Sequence, residues 1–245
     1  MIGRRFRMLL IAFLITAISV TVLSSGQHRP ATGPAGPIGE EQWKQDRSYG
    51  SWTVRYSGYG PVYGNAEAAA IPPGPGANIL LEPRQAEDRE LTHGALVHTT
   101  RRCRDADFAV TVLTEAQIRL GAPNPWEVGW VLWNFENDVR FYAVALKPNG
   151  WEISKQDPAY PGNQRFLTTG TQPTFPVGRP YRVQITQRWP AMTVSVDGVE
   201  LATVVDEERP YRGGAAALYT EDARVRFSDF DLPTCLINDS ASPEE

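Results

Sequence analysis

The sequence predicts an all-β sandwich or barrel, on three observations. Tyr181, Val183 and Ile185 alternate with Arg182, Gln184 and Thr186, and Met192, Val194 and Val196 alternate with Thr193 and Ser195. Period-two alternation is the mark of a strand buried on one face. Two-residue turn signals, Asn149-Gly150 and Asp197-Gly198, fall between such segments, and their backbone preferences match the right-handed twist of hairpin strands. Apolar residues at helical spacing are almost missing. A turn or so around Glu115–Leu120 is the only helix candidate in the body of the chain.

Taken from the N-terminus, the chain opens on Arg4, Arg5 and Arg7, followed by an uncharged apolar run from Met8 to Leu23 and then by Ser24, Ser25 and Gly26. A basic head, an apolar run and small residues form the layout of a signal peptide. With Ser24–Gln27 included, the uncharged stretch reaches the length of about 20 residues that spans a bilayer. Residues 1–26 are therefore expected to be a signal peptide or signal anchor, an apolar helix that exports the chain and offers membrane attachment. Residues 27–47, rich in Pro, Gly and Ala at their start, are expected to be a stalk. Residues 48–235 are the expected folded domain, and 236–245 a flexible polar tail that holds a chance-level sequon at Asn238-Asp239-Ser240.

Within the domain, strands are expected at Ser51–Tyr56, Asn78–Leu81, Gly94–Thr99, Phe108–Thr114, Gly129–Phe135, Val139–Leu146, Trp151–Gln156, Gln164–Thr168, Ala215–Tyr219 and Ala223–Leu232, beside the alternating pair Tyr181–Thr186 and Met192–Val196. Ile71-Pro72-Pro73-Gly74-Pro75-Gly76 reads as a loop between strands. Folding across Asp197-Gly198 pairs Val196 with Val199 and Val194 with Leu201, placing all four on one face. In the last strand Val225 and Phe227 share one parity and Phe230 and Leu232 the other, so a bulge is expected near Ser228-Asp229.

Charge and cysteines narrow the function classes. Across 245 residues the net charge is −4, without the basic field that nucleic acid or anionic lipid would require, so no nucleic-acid partner is expected. The two cysteines, Cys103 and Cys235, make neither a metal-ligand pattern nor a C-x-x-C pair. Export favours a disulfide between them over two separate buried thiols.

Three strings carry a resemblance. Thr193-Val194-Ser195-Val196-Asp197-Gly198, Gly214–Tyr219 with Val225–Phe230, and Phe141-Tyr142 with Asn149–Lys155 are similar to hairpins of concanavalin A-like lectin/glucanase and laminin G-like domains. The last resembles the keto-disaccharide hydrolase-like branch. The resemblance spans roughly Ser48 to Pro233. It implies a double-sheet jelly roll whose concave sheet carries a carbohydrate site, in a secreted bacterial protein with a structural calcium ion as a possible cofactor.

The chemistry-bearing residues point to binding more than to catalysis. The glucanase string E-x-D-x-x-E is absent, as are a G-x-S-x-G elbow and an EF-hand loop. Glu136, Asp138 and Glu152 lie near the central hairpins, and Asp229 and Asp231 share a parity, but none forms a recognisable acid pair. His28, His93 and His98 form no pattern. Sugar recognition needs aromatic faces beside hydrogen-bonding groups. The stretch from Trp126 to Tyr160 supplies both: Trp126, Trp130, Trp133, Trp151, Phe135, Phe141 and Tyr142 interleave with Asn134, Arg140, Lys155 and Gln156. Counting back from the turn at Asn137-Asp138 pairs Trp133 with Tyr142 and Asn134 with Phe141. One face then shows Trp133 and Tyr142, the other Trp130, Asn134 and Phe141. These five and Lys155 are the expected ligand-binding residues, with the groove open to either face, and the loop from Asp157 to Asn163 is expected to lie rigid beside it. Asp229 is the expected calcium carboxylate. A carbohydrate or envelope polysaccharide is the expected partner. The alternatives are a saccharide hydrolase using Glu152 or Asp138, and a laminin G-type interaction domain.

Overall fold

A computed structural model describes residues 39–237 apart from residue 106. The expected signal or anchor segment, most of the expected stalk and the sequon lie outside the described residues. The strands are β1 (Glu40–Trp43), β2 (Ser48–Tyr49), β3 (Trp52–Tyr56), β4 (Val62–Asn65), β5 (Asn78–Leu81), β6 (Gly94–Thr99), β7 (Asp107–Gln117), β8 (Gly129–Asn137), β9 (Arg140–Lys147), β10 (Gly150–Gln156), β11 (Gln164–Gly170), β12 (Pro180–Arg188), β13 (Ala191–Val196), β14 (Val199–Val205), β15 (Ala215–Glu221) and β16 (Ala223–Asp231), closed by a short helix α1 (Thr234–Ile237). They form two antiparallel sheets of eight strands. The first runs β1-β4-β5-β16-β7-β12-β13-β14 and the second β11-β10-β9-β8-β15-β6-β3-β2.

Alternation explains why the sheets stack. Val110, Val112, Val183, Ile185, Val194, Val225 and Phe227 from the first sheet meet Val54, Val97, Val131, Trp133, Tyr142, Val144, Ile153 and Leu218 from the second in one interior cluster. Their neighbours of opposite parity point outward, as the strand period requires.

Several expectations are adjusted by pairing that short-range pattern cannot show. Glu115–Gln117, inside the expected helical turn, continues β7, because Ala116 and Gln117 pair with Arg224 and Ala223. Glu40–Trp43, placed in the expected stalk, pairs with β4. Leu236, placed in the expected tail, is buried in the interior cluster. The hairpin at Asp197-Gly198 keeps Val196 opposite Val199, but a bulge after Val194 sets that residue opposite Ala202 rather than Leu201. Val199 is left 71% exposed, so the four residues do not share one buried face. The bulge expected at Ser228-Asp229 is present, with Asp229 at a φ of 51°. It lets Val225 and Phe227 and then Phe230 and Leu232 turn to the same interior. Cys103 and Cys235 form the expected disulfide.

Candidate functional site

The outward face of the second sheet carries a cluster of its own. Trp130, Leu132, Phe135, Ala143, Ala145, Ala215 and Ala217 pack there with Phe141, Tyr56 and Tyr219 at their margins. Small alanines form its centre and aromatics its walls. Trp130 and Tyr219 meet edge to face at 5.9 Å, and Phe135 lies between His98 at 5.4 Å and Phe141 at 6.0 Å. Burial lowers the His98 imidazole below its ordinary pKa. At the end of this face the Glu221 carboxyl is pushed up to about 7, first by burial and then by the neighbouring Asp222 charge.

This face opens at the β9–β10–β11 end into a cavity of about 270 Å³ lined by Lys147, Asn149, Trp151, Glu152, Phe166, Thr169, Gly170 and Thr171. Three local features build it. Gly150 takes a φ of 131° at the tight turn between β9 and β10, which sets Lys147 and Glu152 on the outward face. Lys147 Nζ then donates to Glu152 Oε2 at 2.5 Å, with the Glu152 side chain only 6% exposed. The pairing of β10 with β11 shifts between Ile153 and Ser154, so that Thr168 sits opposite Ile153 but Phe166 opposite Ser154. One extra residue reverses the parity of the rest of the strand. Leu167 therefore packs on the interior, while Phe166 comes out beside Thr169 with 52% of its surface exposed. The third feature is Gly170. A Cβ there would lie 2.5 Å from the Trp151 indole, and that indole is pinned by its Nε1 donating to the Gln172 carbonyl at 2.8 Å. Gly170→Ala is expected to displace the indole and cost about 1–3 kcal/mol. Urea unfolding measures this, and an unchanged midpoint would contradict the packing described.

No known protein family matches the chain by sequence, and neither does any curated protein. Solved structures do match. The carbohydrate-binding module CBM66 of Bacillus subtilis superposes with a TM-score of 0.52 at 11% identity, over 74% of this chain and 94% of the module. The chain shares a two-sheet jelly-roll fold with that module. A glycoside hydrolase family protein from Mycobacterium thermorestibile gives 0.47 at 12% identity over 77% and 95% of the two chains. Sheep galectin-11 gives 0.39 at 9% identity over 58% and 96%.

Within this jelly-roll sandwich the residues singled out from sequence go to different places. Trp133 and Tyr142 pair as expected and stack at 5.7 Å, but on the interior face, where both are buried. Trp130 and Phe141 lie in the outward cluster. Asn134 sits at the bulge between the Trp133–Tyr142 and Asn137–Arg140 pairs. Its φ is 48°, and its Nδ2 donates to the Tyr211 carbonyl at 2.7 Å. It anchors a loop and does not stand opposite Phe141.

Lys155 is fully buried on the interior side. Its Nζ donates to Asp206 Oδ2 at 2.7 Å, to the Glu208 carbonyl at 2.6 Å and to the Arg209 carbonyl at 2.8 Å, which uses all three ammonium donors. Tyr142 and Arg165 also donate to Asp206. This network clamps the β14–β15 loop onto the second sheet. The neighbouring Asp157–Asn163 loop is closed by the Asp157 amide donating to the Asn163 carbonyl at 2.8 Å, and Asp157 accepts from Arg209.

The acids do not assemble as a hydrolytic pair. Glu136 pairs with Arg140 and Asp138 with Arg55 at the β8–β9 turn, whereas Glu152 lies beside the β9–β10 turn, at the far end of β9. That is roughly 20 Å of strand, beyond the separation that serves one glycosidic bond. At the bulge, Asp229 accepts from Ser228 through its carboxylate, and its carbonyl accepts from the Arg182 guanidinium. A cation already held against that carbonyl makes the position a poor fit for calcium, which collects six or more oxygens. Among the described residues no three His, Cys, Asp or Glu side chains come together to hold a metal.

Lys147, Phe166 and Thr169 do not stand out in the sequence, and Asn149 does so only as a turn residue. The one signal available was Phe166 within Gln164–Thr168, an aromatic next to Leu167. Only one of the two can face the core in a regular strand.

Proposed function

We propose that this domain is an exported, non-catalytic binder of carbohydrate, taking a sugar of an envelope or extracellular polysaccharide into the β9–β10–β11 cavity. The observation that carries the reading is the half-exposed ring of Phe166 standing beside the Lys147–Glu152 pair in one cavity. An aromatic plane accepts the apolar face of a pyranose, and adjacent donors and acceptors satisfy its hydroxyls. Binding pockets in general combine an apolar wall with a few converging polar groups. The shared fold with a Bacillus subtilis carbohydrate-binding module supports the reading. The basic and apolar N-terminal pattern and the disulfide support export.

Glycan-array binding of the full chain tests the assignment. Positive spots are expected to fade roughly tenfold in affinity on Phe166→Ala, the size of effect typical of an aromatic anchor. Spots that survive this substitution unchanged would place binding elsewhere, and a blank array would remove the carbohydrate reading.

A further inference from the structure

Resting on the carbohydrate reading of the same cavity, we infer that its ligand is an uncharged sugar presenting two neighbouring hydroxyls, and that the Lys147–Glu152 pair excludes carboxylated sugars. Glu152 lines the cavity with its side chain 6% exposed. Its Oε2 accepts from Lys147, while Oε1 has no donor among the described residues. Lys147 likewise uses one of its three ammonium donors there. The Oε1 oxygen is open to the cavity, where water or a ligand hydroxyl can donate to it. Beside it stand Lys147 N–H groups that a ligand oxygen can accept from.

A hydroxyl can do both. Two hydroxyls on adjacent carbons place one donor at Oε1 and one acceptor at Nζ, while the ring lies against Phe166. A carboxylate offers acceptors only, so it would satisfy Lys147 and leave Oε1 facing a second negative charge. The cavity has no surplus cation to offset that charge. Asn149, Thr169 and Thr171 are neutral, and Arg165 on the neighbouring strand is turned to the other face, where it pairs with Asp206 at 3.0 Å. Lys147 and Glu152 cancel each other, so the site is formally neutral.

Native affinity gels of the full chain separate the possibilities, with dextran, mannan and arabinogalactan as neutral probes and polygalacturonate, alginate and hyaluronan as carboxylated ones. Retardation by at least one neutral polymer and by none of the carboxylated ones is expected. Glu152→Gln keeps the shape but frees the Lys147 charge. It is expected to weaken neutral retardation roughly tenfold and to introduce retardation by carboxylated polymers that salt abolishes. Near-UV circular dichroism of the variant confirms that the sheet is intact. Retardation of the native chain by carboxylated polymers overturns the charge selection while leaving carbohydrate binding in place. An unchanged preference in Glu152→Gln overturns it as well. Retardation by no polymer of either class overturns the carbohydrate reading and this inference with it.

Discussion

Asp206→Ala is expected to destabilise the domain by about 3–5 kcal/mol, the cost of removing the hydrogen-bonded counter-ion of a buried ammonium. Lys155 is fully buried; its two carbonyl acceptors disperse the charge without neutralising it, and its second carboxylate, Asp157, stands at 3.7 Å, beyond hydrogen-bond reach. Lys155→Met is expected to be milder, because Asp206 keeps donors in Tyr142 and Arg165. Urea unfolding of both variants measures the asymmetry, and equal, small losses would contradict it. The same network sets a pH dependence. Burial alone pushes the Asp206 carboxyl up, but hydrogen bonds from Lys155, Tyr142 and the Glu208 amide, with the Lys155 charge, hold it below its ordinary value of 3.8. A carboxyl held lower in the folded state than in the unfolded one binds fewer protons when folded. Its contribution is therefore present above pH 3.8 and is lost as pH falls through the depressed value. Asp157, also held low against its own burial by Arg209, the Ala159 amide and Lys155, adds in the same sense. The Asp206→Ala variant should lose part of this acid transition.

Opening the disulfide is the second large effect. Cys103 and Cys235 are separated by 132 residues, and releasing a loop of that size costs about 4–5 kcal/mol by chain entropy, with about 2–5 kcal/mol typical of measured removals. Cys103 also stands in a two-residue bridge with Gly214, and Leu236, next to Cys235, is buried in the core. The bond thus fastens α1 to the base of the same loop that Lys155 clamps. The Cys103→Ser, Cys235→Ser double variant should lose at least about 2 kcal/mol of unfolding free energy, measured by urea unfolding. A loss under about 1 kcal/mol would mean that the bridge closes a loop the unfolded chain already keeps compact.

How much of the fold and of the cavity was legible depends on where each partner lies. The long strands were readable because alternation is local, and Tyr181–Ile185 needs no partner to reveal its inward side. β1, β2 and β4 were not, since Glu40–Trp43, Ser48-Tyr49 and Val62–Asn65 are too short to alternate and exist only through pairing. Lys155 looked like a ligand group because it stands among aromatics. Its true partner, Asp206, is 51 residues away, beyond any spacing rule. Trp130 and Trp133 were assigned to opposite faces by counting, and the sheet agrees. Counting failed at Asn134 and assigned no face to Phe166; each lies beside a bulge that inserts a residue the pattern does not announce.

The bulge in β11 has a consequence for how such a surface changes over generations. Because the bulge holds one residue more than the facing strand, loss of the Phe166 codon would set Leu167 opposite Ser154, an aliphatic for an aromatic at the mouth of the cavity, whereas loss of the Leu167 codon would leave Phe166 in place. The strand lies at the rim of its sheet, where a length change disturbs only one neighbour. In this architecture, ligand recognition can therefore be gained or erased by a frame-preserving deletion that leaves every polar group of the pocket in place.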